Sequence, residues 1–332
     1  MRLDAPASGE SALIERIAQR VGHIPLPNAC RLLQGIGDDA AVLQAGDQTL
    51  LWTVDMLVEG VHFRLDWIDA ASLGWKALAV SLSDLAAMGG MPIGALLSVA
   101  LPAERAGAWL DAFVDGFAAC AQSYGVALLG GDTNRAEQMV IDVSVFGMVF
   151  GAPVLRCGAR AGDWLLVSGA LGGSRAGLES LLRREASKVD CTPHFRPTPR
   201  LRTGALAQAL GATAMMDISD GLAADLPKLL RASGVGAVVS TAHIPVHPAA
   251  LQWAQAHGTD PVAFALAGGE DYELLIAAPP PVAQQLLAHA PAETGVPLTK
   301  IGEISPVQEV WLQYPDGRRE SLPIAGWDHF RA

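Results

Sequence analysis

Gly35-Ile36-Gly37-Asp38-Asp39-Ala40-Ala41-Val42 sets two adjacent carboxylates between a glycine pair and an apolar run. A plain core turn does not require that pattern. Neighbouring carboxylates repel, and they are stable together when solvated, hydrogen-bonded or bound to a cation. Segments of the same kind recur along the chain, with small or apolar residues leading to an isolated acid, often beside glycine. They are Thr53-Val54-Asp55, Ser83-Asp84-Leu85, Gly130-Gly131-Asp132-Thr133, Asp217-Ile218-Ser219-Asp220-Gly221 and Gly268-Gly269-Glu270-Asp271. The working expectation is that the fold collects these carboxylates around metal ions.

Working outward from that stretch, a helix over 10–21 precedes it, with Ser11 as N-cap and Pro25 and Pro27 as its stop. Strands are expected over 40–43 and 50–54, the second ending at Asp55, and a loop over 58–63. A helix over 70–88 carries Asp84 late, among small residues, either as a tolerated polar residue or as a ligand facing a cleft. A strand over 94–100, a helix over 105–124, a strand over 126–129 running into the Gly130-Gly131-Asp132 turn, and an alternating strand over 139–149 complete a first α/β unit. The Gly-, Ala- and Arg-rich stretch 151–163 reads as the crossing into a second unit. That unit has strands over 164–168, 214–218, 235–240, 273–276, 298–304 and 309–313, and helices opening at 169–174 and over 203–210, 222–233, 261–266 and 283–290. Asp220 is read as a cap for the helix over 222–233, and Asp316-Gly317 as a hairpin turn. The class is α/β with β-rich, α+β-like pieces. The domains are 1–150 and 151–332.

Composition narrows the function. With 332 residues, 51% hydrophobic and 17% charged, the chain can bury a large core. A net charge of −11 argues against nucleic acid or an anionic membrane as partner, yet leaves room for a phosphorylated ligand bridged by divalent cations. Cys30, Cys120, Cys157 and Cys191 are scattered without a CxxC pair, which points away from zinc or a disulfide framework and toward a reducing cytoplasm. For most of them buried packing is the expected role. The N-terminus lacks a signal-peptide pattern, and the apolar stretches are too short and interrupted to span a bilayer.

Several motifs fail on inspection. Gly35-x-Gly37-x-x-Ala40 is followed by strand rather than helix, so it is no dinucleotide fingerprint. There is no Walker A sequence, and none of Lys76, Lys188, Lys228 and Lys300 follows a glycine loop. The loop from Gly169 to Gly173 could seat an anion at a helix N-terminus, or be only a tight turn. Pro245 spoils His243-x-x-x-His247 as a helical metal pair. Asp220 could be only a cap, Asp132 could only close a turn, and Glu59 and Glu273 could simply face water. The acidic set taken jointly suits Mg²⁺ and phosphoryl transfer, where positioning and charge neutralisation dominate.

These segments resemble a known family. Gly37–Val42, Thr53 through Phe63, Lys76 through Gly89, Gly130–Thr133, Asp217–Leu222, Gly268–Leu274 and the terminal Gly326-Trp327-Asp328-His329-Phe330 are similar, in order, to the thiamine-monophosphate kinase family of the aminoimidazole ribonucleotide synthetase superfamily. The resemblance implies a two-domain α/β fold whose N-terminal domains pair in a homodimer. It implies direct in-line transfer from ATP to thiamine monophosphate, with several Mg²⁺ ions. By motif, Asp39, Thr53, Asp55, Asp84, Asp132, Asp217 and Asp220 match metal ligands. Val54 stands where the family often has Thr or Ser, so any contact there is through backbone. Gly131, Asp132, Arg156 and Ser219 match ATP contacts, and His62, Glu270 and Trp327 match substrate contacts. No residue is needed as nucleophile. A different superfamily activity, of the aminoimidazole ribonucleotide or selenophosphate synthetase type, is the nearest alternative, although Cys30 lacks the context of a reactive synthetase cysteine. A non-catalytic Mg-nucleotide-binding regulator is the alternative from another class.

Overall fold

The computed structural model describes residues 9–21, 26–27, 29–323, 325–327 and 329–330. The N-terminal start, Pro25 and Asp328 lie outside them; Ser11 falls within the first helix, and its side chain is also outside. The first half of the chain makes α1 (Glu10–Val21), β1 (Cys30–Gln34), β2 (Ala41–Ala45), β3 (Gln48–Val58), α2 (Ala70–Ala87), β4 (Met91–Leu101), α3 (Ala108–Tyr124), β5 (Ala127–Arg135) and β6 (Val140–Val149). The six strands form one sheet in the order β1-β2-β3-β6-β4-β5, antiparallel except for the β4/β5 pair.

The second half makes β7 (Trp164–Ser168), α4 (Gly173–Leu182), α5 (Thr192–Phe195), α6 (Leu201–Leu210), β8 (Ala214–Ile218), α7 (Leu222–Ser233), β9 (Gly236–Ser240), α8 (Pro248–His257), α9 (Pro261–Leu266), β10 (Glu273–Ala278), α10 (Pro280–Thr294), β11 (Leu298–Ser305), β12 (Val310–Gln313) and β13 (Arg319–Ser321). Its seven strands run in the order β13-β12-β9-β11-β7-β10-β8. The fold is therefore mixed α/β, as expected.

Alternation along β3 explains how the first sheet is used. Leu51, Thr53 and Leu57 are buried beneath α2, whereas Trp52, Val54 and Met56 are 48%, 57% and 54% exposed on the opposite face. The second sheet is covered on both faces, and strand β10, between β7 and β8, is buried along its whole length. Helix α2 belongs to both halves. Its body packs in the first core, and Ala86 and Ala87 at its end enter a core of the second. Gly204 on α6 permits this approach, since a Cβ there would lie 1.9 Å from the Ala86 carbonyl oxygen.

Some expectations need correction. Asp55 lies inside β3, not at its end. Gly130-Gly131-Asp132 is not a turn but part of strand β5, with Gly131 pressed on β4: a Cβ would meet the Leu97 carbonyl oxygen at 1.7 Å. The cap residue of α7 is Gly221, without a side-chain hydrogen bond, so Asp220 does not cap it. Strands β1 and β13 and helix α8 had no clear signal in the sequence. The Asp316-Gly317 turn does join an antiparallel pair, β12 and β13. Cys120 is buried and Cys191 half-buried, but Cys30 and Cys157 are exposed, so buried packing is not the role of most of them. Among the described residues, no helix is long and apolar enough to cross a membrane.

Candidate active site

Asp39 in the turn before β2, Thr53 on β3, Asp84 near the end of α2 and Asp217 near the end of β8 converge where α2 packs against β8, the edge strand of the second sheet. One ligand atom from each of Asp39, Asp84 and Asp217 lies within 4.8 Å of the others. Neighbouring hydroxyls fix the carboxylates: Thr53 Oγ1 donates to Asp84 at 2.5 Å, and Ser83 Oγ donates to Asp217 at 2.7 Å. Arg156, from the segment joining the halves, meets Asp39 Oδ1 with its guanidinium at 2.6 Å. Its backbone N–H donates to Asp38, which also accepts from the Asp39 N–H. Asp38 thus serves the turn, while Asp39 faces the cluster.

The electrostatics reflect acids gathered out of water. Burial, then Asp55, Asp217 and Asp39, push the Asp84 carboxyl well above the ordinary range. Burial, then Asp39, does the same to Asp217 against the opposing hydrogen bond from Ser83. Asp55 is raised to about 6, mainly by burial, with Ser81 opposing. Buried oxygens of Asp39 and Asp55 (Oδ2 of each) have no hydrogen-bond partner. Converging carboxylates with unpartnered oxygens and one guanidinium have the donor set and the charge deficit that suit a hard divalent cation.

A second cluster adjoins the first. The loop after α9 turns through Glu270 and Tyr272, both non-glycine residues in the left-handed region at φ 62° and 52°. Glu270 Oε1 lies 3.0 Å from Lys76 Nζ, and Oε2 lies 3.1 Å from His194 Nδ1. Burial disfavours the Glu270 charge, but Lys76 and then His194 overcome it and hold the carboxyl well below its usual range. The His62 ring is 5.0 Å from that of His329; burial, then His329, lowers its pKa, and Glu270 opposes them. Trp327 Nε1 lies 3.2 Å from His329 Nδ1, and its backbone N–H donates to the Asp220 carbonyl. The C-terminal segment therefore bridges the second half, at Asp220, to the first, at His62.

Other expected positions stand apart. Asp132 is exposed on β5, its carboxylate accepting from Thr133 N and Asn134 Nδ2, with Gly131 beside it. The Val54 side chain faces away from the cluster. Asp220 is paired with Lys228 at 2.5 Å, and Lys228 also meets Asp225 at 2.8 Å. Ser219 follows β8, and its carbonyl accepts from the Glu270 N–H. The anion seat considered at Gly169–Gly173 is filled from within, because Asp271 accepts from Gly172 N at 2.6 Å and Ser174 N at 3.2 Å. Glu273 does not face water: it is buried against Arg200, at 2.7 and 2.5 Å, and Ser168. Glu59 accepts from Met139 N. His247 caps α8 by accepting from Ala249 N rather than joining His243. Lys76 and His194 were not singled out from the sequence. A lone lysine inside an otherwise small and apolar helix was the available signal for the first, and His194, in a Pro-rich loop, had none.

Comparison with known proteins identifies the family. Residues 37–149 match the family described as AIR synthase related protein, N-terminal domain, and residues 160–314 match its C-terminal domain. The thiamine-monophosphate kinase of Salmonella typhimurium is 39% identical over 98% of this chain and 99% of its own length. The chain belongs to the thiamine-monophosphate kinase family. The Mycobacterium tuberculosis member is 41% identical over 80% of each chain. The solved structure of AaThiL complexed with AMPPCP and TMP superposes with a TM-score of 0.82 at 34% identity, covering 97% of both chains. The Stenotrophomonas maltophilia thiamine-monophosphate kinase structure gives 0.75 at 37%, covering 92% of this chain and 96% of its own. Hydrogenase maturation protein HypE, at 20% identity and a TM-score of 0.69, shares the fold.

Proposed function

We propose that this chain phosphorylates thiamine monophosphate with ATP, giving thiamine diphosphate and ADP. A phosphate oxygen of the substrate attacks the γ-phosphorus in line, and the bond from that phosphorus to the β–γ bridging oxygen breaks. No protein nucleophile takes part. The observation that carries the reading is the convergence of Asp39, Asp84 and Asp217 from both halves, with buried unpartnered oxygens on Asp39 and Asp55.

Asp39, Thr53, Asp55, Asp84, Asp132, Asp217 and Asp220 would hold Mg²⁺, with Val54 contributing only through its backbone. Bound Mg²⁺ supplies neutralising charge between two anionic phosphates. Asp220 would have to share itself with Lys228. Arg156 offers a fixed positive charge, and Gly131, Asp132 and Ser219 line the nucleotide side. His62, Glu270 and Trp327 form the substrate side, where an ionised carboxylate and an exposed indole suit a cationic thiazolium and an aminopyrimidine. Residues 1–150 would supply the ATP and metal site and the dimer contact, and residues 151–332 would complete the cleft. The exposed apolar row Trp52, Val54 and Met56 supports pairing of two copies through the first sheet. The composition supports a cytoplasmic setting. A coupled assay of diphosphate formation from thiamine monophosphate, ATP and Mg²⁺ tests the function. ATP binding without turnover would overturn it in favour of a nucleotide-binding regulator.

A further inference from the structure

We infer that Lys76 and His194 are positioning residues that hold Glu270 as the carboxylate facing the substrate; this rests on the thiamine monophosphate reading above. Lys76 is 1% exposed and heads the largest fully buried side chains of the described residues. An ammonium placed there is costly unless paired. Its partner comes from the other half of the chain: Glu270 Oε1 at 3.0 Å, while His194 takes Oε2 at 3.1 Å and sits 2.9 Å from Ser174 Oγ. Both carboxylate oxygens are thus engaged, yet the Glu270 side chain stays 25% exposed. It is anchored on one side and open on the other.

The backbone separates aiming from mere stapling. Left-handed conformations at Glu270 and Tyr272 each cost on the order of 1 kcal/mol and persist only when surroundings impose them. Glu270 N donates to the Ser219 carbonyl at 2.6 Å and Tyr272 N to the Ile218 carbonyl at 2.9 Å, while Asp271 is locked onto the start of α4. A simple staple needs no such turn. Two others already join α2 to the same region: Arg196 Nε donates to Ser72 Oγ, and Trp75 Nε1 to the Pro197 carbonyl, each at 2.9 Å. The strained turn instead sets the Glu270 carboxylate between Lys76 and His194, with a quarter of the side chain left open. Lys76 and Asp84 lie eight residues apart on α2, about 12 Å along its axis. One helix thereby fixes the spacing between the metal-side acids and the substrate carboxylate.

The test is steady-state kinetics on Lys76→Met, Lys76→Arg, His194→Gln, Glu270→Gln and the double variant Lys76→Met/Glu270→Gln. Lys76→Met is expected to raise KM for thiamine monophosphate about tenfold while KM for ATP moves less than about twofold. His194→Gln should move it the same way, Lys76→Arg should recover part of the loss, and the double variant should match Glu270→Gln alone. Equal increases in both KM values, or a thiamine monophosphate KM within about twofold of wild type in Lys76→Met and His194→Gln, would overturn the positioning role. If Lys76→Met does not fold, His194→Gln, which leaves the Lys–Glu pair in place, decides by the same criterion. Wild-type protein is the control for the broader reading. Absent wild-type turnover overturns the substrate assignment, whereas wild-type turnover with unchanged variants overturns the positioning role alone.

Discussion

Asp84 shows how little a single residue says alone. In sequence it is one acid among small residues on a helix, compatible with solvent or with a cleft. Thr53 Oγ1 at 2.5 Å and the nearby Asp39 and Asp217 decide for the cleft. The metal-free cluster holds like charges out of water, so removing one should relieve the fold rather than weaken it. Asp84→Asn is expected to lower turnover by about 10²-fold or more while the melting temperature in EDTA does not fall. The stabilisation by Mg²⁺, about 2.7 kcal/mol at a hundredfold excess over Kd, should largely vanish in that variant. Calorimetry with EDTA and with Mg²⁺ measures both, and a retained Mg²⁺ shift contradicts the assignment. At the substrate side, Trp327→Ala should raise the KM for thiamine monophosphate more than that for ATP. An unchanged thiamine monophosphate KM would remove the indole from that site.

At the scale of elements, the strands and helices with strong periodicity were legible and the glycine segments were not. Trp164–Ser168, Ala214–Ile218 and Pro261–Leu266 follow the sequence pattern to the residue. Gly130-Gly131 reads as a turn because glycine permits one, but here it serves close strand pairing, and only the packed neighbour Leu97 reveals that. Asp271 is the same lesson for α4. The loop before this helix invites an external anion, and a carboxylate about a hundred residues downstream occupies it. Burial, against the Gly172 and Ser174 N–H groups and with Glu273 nearby adding to it, raises Asp271 from 3.8 to about 7. The folded state therefore holds this proton more tightly than the unfolded chain does, so the stability linked to it is full below pH 3.8 and is lost as pH rises toward 7. Asp271→Asn should flatten that part of the stability curve. Urea midpoints between pH 4 and 8 would show it, and parallel curves for the two proteins would rule it out.

Over the whole molecule, the acidic segments were legible as a set because each carries a local mark, while the long-range pairs were not. Nothing in Arg200 announces Glu273, or in Lys76 Glu270, since each partner lies in a different element. The outer face of the first sheet was equally silent: its alternation looks like any half-buried strand until both faces are seen. Val54→Lys or Met56→Lys should leave the protomer folded and shift sedimentation toward a single copy. An unchanged oligomeric state in both variants would remove this face as the contact.

Tyr272 belongs by position to the second half, yet it is buried as a member of the core of the first. During synthesis the first sheet and α2 emerge long before that ring exists. The early half must wait, with an unfilled place in its interior, for a residue more than a hundred positions later. Such a dependence raises contact order and slows productive folding. The chain is then committed to maturing as one unit, and a nascent first half should remain a client of chaperones until the turn carrying Tyr272 arrives.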